Sequence, residues 1–257
     1  MEIFKELYQY RELLKTNVKK EIRGKYKGSF LGVLWSFLNP LLMVLVYAIV
    51  FPYLMRMKQE NYLIYLITGI IPWIFFSTTI TSGCNCIWIN GGIIKKVYFP
   101  RAILPISIVA SALVNFLISC IIILLFVFFG GVGLNINILW LPVIALIQSL
   151  FCLGLLFVLS AIDVYVRDIE YIVGFFINLL FYCTPIVYSV DMFPDKFKYL
   201  LYLNPMTHFI DAYRNIFYYK VSPHFSSLLT MLFIGLIVLG LGYAIFKKLE
   251  KGFAEEV

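Results

Sequence analysis

The chain has 257 residues, 62% of them apolar, 18% aromatic and only 14% charged, with a mean hydropathy of +0.92. Soluble domains average about half apolar and about a quarter charged, so this chain has too little polar surface to cover a water-soluble core. An ordinary cytosolic enzyme, a secreted disulfide scaffold and a disordered chain are excluded, and one integral membrane unit remains.

Residues 1–30 form the first predicted element. Ile3, Leu7, Tyr10, Leu14, Val18, Ile22 and Tyr26 recur at steps of three and four, widened by Phe4, Tyr8 and Leu13. Glu2, Lys5, Gln9, Glu12, Lys15, Thr16, Lys19 and Lys20 fill much of the rest. That pattern is an amphipathic helix. Its basic face suits an interface beside anionic lipid headgroups; the alternative reading is a helix packed on cytoplasmic protein.

Six runs follow without a single Asp, Glu, Lys or Arg: Leu31–Met55, Tyr62–Ile89, Ile103–Phe129, Leu139–Ile162, Tyr171–Val190 and Leu228–Phe246. A helix needs about 20 apolar residues to cross a hydrocarbon layer. The runs are apolar on every face, which excludes the alternation of a membrane barrel. The expected fold is therefore an all-α integral membrane protein of six transmembrane helices over residues 31–246. With the N-terminus inside, the inner segments carry fifteen basic residues against six outside, so both termini are placed in the cytoplasm. The first run begins after a charged stretch, which does not match a cleavable signal peptide.

The connections carry the remaining signal. In the segment of about 90–105, glycines end the second run and Pro100 and Pro105 punctuate a short helix, while Lys95, Lys96 and Arg101 keep it in water or on another protein. In the next inner connection Asp163 and Arg167 stand at i, i+4 spacing, followed by Asp168. This reads either as a solvated helix end or as a short helix docking into a cytoplasmic engine. Cys84, Cys86, Cys120, Cys152 and Cys183 lie inside predicted spans, and Cys84-x-Cys86 lacks the second pair and histidines of a zinc site. No metal is expected. The segment of about 191–227 is aromatic yet interrupted by charges and by Pro194, Pro205 and Pro223. It reads as re-entrant or interfacial helices before the last span, or as an aromatic belt at the headgroups. Residues 247–257 are expected to be a short cytoplasmic tail.

The run from Arg23 to Leu42, the segment Val97-Tyr-Phe-Pro-Arg-Ala-Ile-Leu-Pro105, the Arg167-Asp168 pair, Tyr182-Cys-Thr-Pro-Ile-Val-Tyr188 and Asn204-Pro-Met206 together resemble membrane subunits of type-2 ABC exporters. The resemblance is strongest to the branch that exports polysaccharides such as O-antigen, capsule and teichoic acid, and it covers essentially the whole chain. It implies a permease rather than an enzyme, moving a lipid-linked polysaccharide across the plasma (inner) membrane. It also implies a homodimer paired with two copies of an ATP-binding subunit. The chain contains no Gly-x-x-x-x-Gly-Lys-Ser/Thr phosphate loop, so ATP and Mg²⁺ would be handled by that partner and no cofactor by this chain. No nucleic-acid partner is expected.

The resemblance makes the segment 90–105 a coupling helix, with Lys95, Lys96, Arg101, Asp163, Arg167 and Asp168 as residues of ATPase coupling. It also has the first and fifth spans line the pathway, which selects Trp35, Phe37, Tyr47, Phe175, Phe176 and Tyr182 as candidate channel aromatics. Arg23, Lys25 and Lys27 stand just before the first span, where they could hold an anionic lipid head or simply serve as the positive-inside signal. A carrier coupled to protons or sodium would bury Asp, Glu or His in its spans, and these have none. An intramembrane enzyme would want clustered carboxylates; Asp163, Asp168 and Glu170 are better explained as an inter-helix corner. A drug or lipid exporter of the same architecture is the alternative.

Overall fold

The computed structural model describes residues 6, 8–24, 28–55 and 61–257. Among these every regular element is helical. In chain order the helices are Arg11–Gly24 (α1), Trp35–Met55 (α2), Tyr62–Cys84 (α3), Cys86–Ile89 (α4), Gly91–Ile94 (α5) and Ile103–Phe129 (α6). Leu141–Tyr165 (α7), Asp168–Tyr182 (α8), Asp195–Leu203 (α9), Pro205–Phe217 (α10), Phe225–Leu249 (α11) and Phe253–Glu256 (α12) complete the set.

Among the described residues four helical stretches are long and apolar enough to cross a membrane: Tyr62–Cys84, Ile103–Phe129, Ile136–Tyr165 and Phe225–Glu256. They correspond to the second, third, fourth and sixth predicted runs. The first run becomes α2, with a shorter apolar stretch, Phe37–Phe51.

The fifth run differs most from expectation. Its helix, α8, has 15 residues, about 22 Å at the helical rise and well short of a bilayer core. The chain continues as a non-helical segment through Cys183–Tyr188, of which Thr184, Ile186 and Val187 are almost completely buried. Pro185 is the cause: it has no N–H for the helix ladder and biases Thr184 away from helical geometry. The second run is also cut. α3 ends at Cys84, and Asn85, whose side chain donates to Glu170 Oε1 at 2.9 Å, separates it from α4.

The helices enclose two apolar clusters. The larger joins α2, α3, α6, α7, α8 and α10 around Ile67, Ile70, Phe75, Phe116, Ile144 and Phe209. The smaller lies at the end of the bundle that carries residues 84–101, and holds Cys86, Phe99, Phe157, Val164, Phe246 and Phe253. This is the connection end. α1 lays its apolar stripe along α6, with Leu14, Val18 and Ile22 facing Ala110. Tyr8 does not join that stripe: it is exposed, with the Arg11 guanidinium 4.6 Å from its ring centre. Ile3, Phe4, Leu7 and Tyr26 lie outside the described residues.

α7 and α11 make the closest helix pair, because glycines let their backbones touch. A Cβ added to Gly154 would lie 2.5 Å from the Leu239 nitrogen, and Gly242 faces the Gly154 carbonyl. Small residues are the general means of close approach where lipid supplies no hydrophobic drive between helices. Gly154→Val should therefore force the pair apart at a cost of about 1–3 kcal/mol. Gly240, with nothing within 4 Å, should accept alanine with little change. Thermal unfolding of the detergent-purified chain checks this: equal Tm for both variants would refute the crossing.

Candidate functional site

At the connection end the structure brings together segments far apart in sequence. The helical part of the connection is confined to Gly91–Ile94; residues 98–100 are not helical, and Pro105 sits in the first turn of α6. Lys95 and Lys96 are exposed, and beside them Ile93, Val97 and Tyr98 also reach solvent, Tyr98 at 91% exposure. They form a basic tip with apolar shoulders. Arg101 points the other way. It donates to the Glu250 carbonyl and lies 5.8 Å from the ring centre of Phe253, itself fully buried.

The segment after α11 therefore does not hang free: it folds under the tip. Tyr165 Oη donates to the Leu249 carbonyl at 2.8 Å, and Phe246 and Phe253 meet edge-on at 5.4 Å. The neighbouring Lys247–Glu250 pair closes at 2.8 Å. Lys20 of α1 donates to Asn90 Oδ1 at 3.3 Å, tying the amphipathic helix to the same assembly.

The Asp163–Arg167 spacing does not produce an ion pair. α7 ends at Tyr165, Val166 is extended, and Arg167 caps α8. Helical i, i+4 geometry requires an unbroken helix, and the break sends the two side chains to different partners. Arg167 stacks over Trp88 with its guanidinium carbon 3.8 Å from the ring centre, a strong cation–π geometry. Asp163 is buried and accepts from Cys84 Sγ at 3.9 Å. Asp168 is exposed in the first turn of α8, where a carboxylate complements the positive end of the helix dipole. Asp163, Arg167 and Glu170 thus contact the 84–90 segment, and the connection before α6 meets the one after α7.

At the opposite end a second constellation holds the break after α8. Arg214 of α10 is 2% exposed. Its Nη1 donates to the Pro185 carbonyl and its Nη2 to the Ile186 carbonyl, both at 2.6 Å, and its guanidinium carbon sits 3.6 Å from the Tyr65 ring centre. Tyr62 donates to the Val187 carbonyl at 2.8 Å and Tyr65 to the Tyr188 carbonyl at 2.9 Å. Four consecutive carbonyls are thereby satisfied by three side chains. Gly69 leaves room for the clamp, since a Cβ there would lie 3.0 Å from Arg214 Nη2.

Local sequence explains why α10 presents Arg214 there. Asn204 caps the helix by accepting from the Met206 N–H, and Pro205 occupies its first turn. Asn204 Nδ2 also donates to Thr184 Oγ1 at 2.8 Å, so the 182–188 and 204–206 motifs touch. Deeper in, Tyr213 donates to Gln148 Oε1 at 2.9 Å and Gln148 Nε2 to the Pro72 carbonyl at 3.1 Å. The Asn135 and Asn137 amides hold the far end of α10 and the loop beyond it by donating to the carbonyls of Ile216 and Lys220.

The candidate channel aromatics divide. Phe175, Phe176 and Tyr182 are exposed on α8, on the face that also carries Tyr171, Ile172 and Leu179. Tyr47 is half-buried and stacks on Phe181 at 5.7 Å; Trp35 and Phe37 are half-buried on α2. Arg23 is exposed in the last turn of α1, while Lys25 and Lys27 lie outside the described residues. Four of the five cysteines are buried and Cys183 is exposed; all are free. Among the described residues no group of three or more His, Cys, Asp or Glu is placed to hold a metal ion.

Four long apolar helices, packed around a shared core and joined by polar corners, define a multi-pass integral membrane protein. Residues 12–218 match the ABC-2 type transporter family. The chain belongs to that family. It is 36% identical over 257 residues, 99% of each chain, to the O-antigen export system permease protein RfbA of Myxococcus xanthus. It is 37% identical over 246 residues to the protein of that name from Klebsiella pneumoniae, covering 95% of this chain and 94% of the other. It is 23% identical over 239 residues to the polysialic acid transport protein KpsM of Escherichia coli, covering 90% and 91%.

The buried guanidinium was the feature sequence reasoning missed; its signal was a lone Arg within the apolar face Phe209, Ile210, Tyr213 and Phe217. Arg214→Met keeps the bulk but strips both donors, and a buried acceptor left bare costs about 1–3 kcal/mol. A thiol placed at position 186 by Ile186→Cys, in a background without the native cysteines, should resist a water-soluble maleimide and become labelled when Arg214→Met is added. Unchanged protection would show that the clamp does not hold the segment.

Proposed function

We propose that this chain is the transmembrane subunit of an ATP-driven exporter that carries a lipid-linked polysaccharide outward across the plasma (inner) membrane. Two copies form the pathway, and two copies of a separate ATP-binding subunit supply the energy from ATP and Mg²⁺. The observation that carries this reading is full-length similarity to relatives named as O-antigen export permeases, supported by a more distant relative named for polysialic acid transport.

The path of six spans with both termini inside is part of the proposal. α2 and α8 supply the first and fifth crossings, and α8 is completed by the segment that Arg214 holds. α9 and α10 then form a re-entrant pair, a form tolerated at membrane depth where protein covers the backbone ends. Phe175, Phe176 and Tyr182, with Trp35, Phe37 and Tyr47 on α2, line the pathway. Aromatic faces suit the C–H faces of sugar rings without fixing a charge in the membrane. Arg23, Lys25 and Lys27 receive the anionic lipid head before it enters.

Coupling is assigned to the basic tip. Lys95 and Lys96 reach the ATPase, with Ile93, Val97 and Tyr98 as the apolar contact. Arg101 acts from behind, bracing the tip against the Glu250–Phe253 segment, while Asp163, Arg167 and Asp168 hold the neighbouring corner. Motion of the tip is thereby passed to α6, α7 and α11 together.

Deletion of the gene tests the substrate: surface polysaccharide should be lost and lipid-linked polymer retained inside the cell. Unchanged surface glycan would remove the reading, and loss of drug resistance or of a lipid from the outer leaflet would favour the other type-2 exporters. Lys95→Glu with Lys96→Glu should lower export by about tenfold or more, the effect expected when an interface charge pattern is reversed at a cost above 1.4 kcal/mol. Membrane insertion should be unchanged. Export at the parental rate would sink the coupling assignment.

A further inference from the structure

We infer that the groove between α1 and α6 seats a bilayer phospholipid with an anionic headgroup, as a resident lipid rather than as cargo. Two rows of side chains on α1 make the groove. Leu14, Val18 and Ile22 stand four apart and are half-buried; Lys15, Lys19 and Arg23 stand four apart, one position further on, and are exposed. Residues four apart share a face of a helix, so an apolar row runs beside a basic one. Ala110 of α6 forms the opposite wall, and the space between holds about 420 Å³, within the size range of small-ligand sites.

Placement supports the same occupant. α6 starts at Ile103 and Ala110 comes seven residues later, about 10 Å along the helix axis. In the orientation proposed above α6 enters the membrane near Ile103, so the groove lies where headgroups give way to acyl chains. That is the depth at which interfacial helices bury their apolar faces. α1 is held there by other side chains: Lys20 donates to Asn90 Oδ1 at 3.3 Å, and Tyr10 and Leu13 pack on the smaller apolar cluster. Lys15 pairs with Glu12 at 2.9 Å, both side chains largely exposed; such a pair contributes little and can yield to a phosphate. Among the described residues no ion pair engages Lys19 or Arg23.

A basic rim over an apolar floor selects its ligand by charge and by shape together. An acidic protein segment would answer the cations but leave the apolar floor unfilled. A zwitterionic phospholipid would fill the floor, but its own ammonium already balances its phosphate, so it gains less from the basic row. An anionic phospholipid does both: its headgroup lies beside Lys15, Lys19 and Arg23, and its glycerol and upper acyl carbons cover Leu14, Val18 and Ile22. Basic residues on an amphipathic helix attract anionic lipid in this way, and their aliphatic stems can lie along the acyl carbons. Arg23 also borders the region assigned above to the transported lipid head, so the variants below are confined to Lys15, Lys19 and Ala110.

The test uses the purified full chain in phosphatidylcholine nanodiscs that carry a trace of one of two probes, a phosphatidylglycerol or a phosphatidylcholine. Each probe has a photoreactive diazirine near the start of one acyl chain, and adducts are mapped by mass spectrometry. The phosphatidylglycerol probe should label residues 14–23 and 103–113, and the phosphatidylcholine probe should label them far less. Lys15→Gln with Lys19→Gln should lower the phosphatidylglycerol adducts about tenfold, the effect of two lysines facing anionic lipid, and Lys15→Arg with Lys19→Arg should keep them. Ala110→Leu fills the groove without changing a charge and should lower the adducts about fivefold at unchanged thermal stability. Equal labelling by the two probes would overturn the site. So would adducts that persist in both Ala110→Leu and the glutamine variant, or adducts displaced by added lipid-linked glycan, which would make the groove part of the cargo's path. None of these readouts involves ATP or export, so the groove can fail while the export reading stands. Unchanged surface glycan on deletion of the gene would remove the export reading and leave these adducts as they are.

Discussion

The break after α8 is the constraint around which the rest of this molecule is arranged. A chain that stops being helical inside an apolar bundle leaves carbonyl oxygens with no water to bind, and each bare acceptor costs on the order of 1–3 kcal/mol. Arg214 answers two of them and the hydroxyls of Tyr62 and Tyr65 answer two more. A guanidinium suits this place because its fork reaches adjacent carbonyls while its face rests on an aromatic ring, here Tyr65. To bring that group in, α10 must run through the core rather than over the surface, and its apolar residues Phe209, Ile210, Ile216 and Phe217 are accordingly buried. The short α8, the buried α10 and the glycine at position 69 are thus parts of one arrangement.

The connection end holds several corners of the chain together in one packed cluster. Among the described residues no long-range ion pair ties them. The smaller apolar cluster does so, with Phe253 and Phe246 as its centre, Ile94 and Phe99 from the 90–105 connection and Val164 from α7. Polar contacts then fix direction: Arg101 on the Glu250 carbonyl, Tyr165 on the Leu249 carbonyl, Arg167 over Trp88. Lys95 and Lys96 and the apolar residues around them face outward.

Much of this was legible in the residues. Runs without charge gave the long helices, because lipid leaves few alternatives to an unbroken apolar helix, and the proline and charge pattern of 191–227 marked short helices where α9 and α10 are found. The helix breaks at Asn85, Val166 and Pro185 were harder to place. Only the last has a strong local cause; the other two depend on Glu170 reaching Asn85 and on Arg167 reaching Trp88, contacts across more than seventy residues of sequence. Spacing alone paired Asp163 with Arg167, and the structure separates them because a one-residue break destroys helical register. The burial of Phe253 was invisible for a similar reason: a short charged segment reads as solvated until a cavity exists to receive its one aromatic ring.

The proposed activity is movement of a lipid-linked glycan from one leaflet to the other by this chain together with an ATPase. Its most direct measurement uses proteoliposomes containing both purified subunits and lipid-linked glycan extracted from the producing cells, oriented so that the ATPase faces outward. The glycan that begins on the outer leaflet should become resistant to an added glycosidase only when ATP is supplied and both subunits are present, and Lys95→Glu with Lys96→Glu should abolish that protection while ATP is still hydrolysed. Protection that arises without ATP, or ATP-driven movement of phospholipid with the glycan left accessible, would contradict the account.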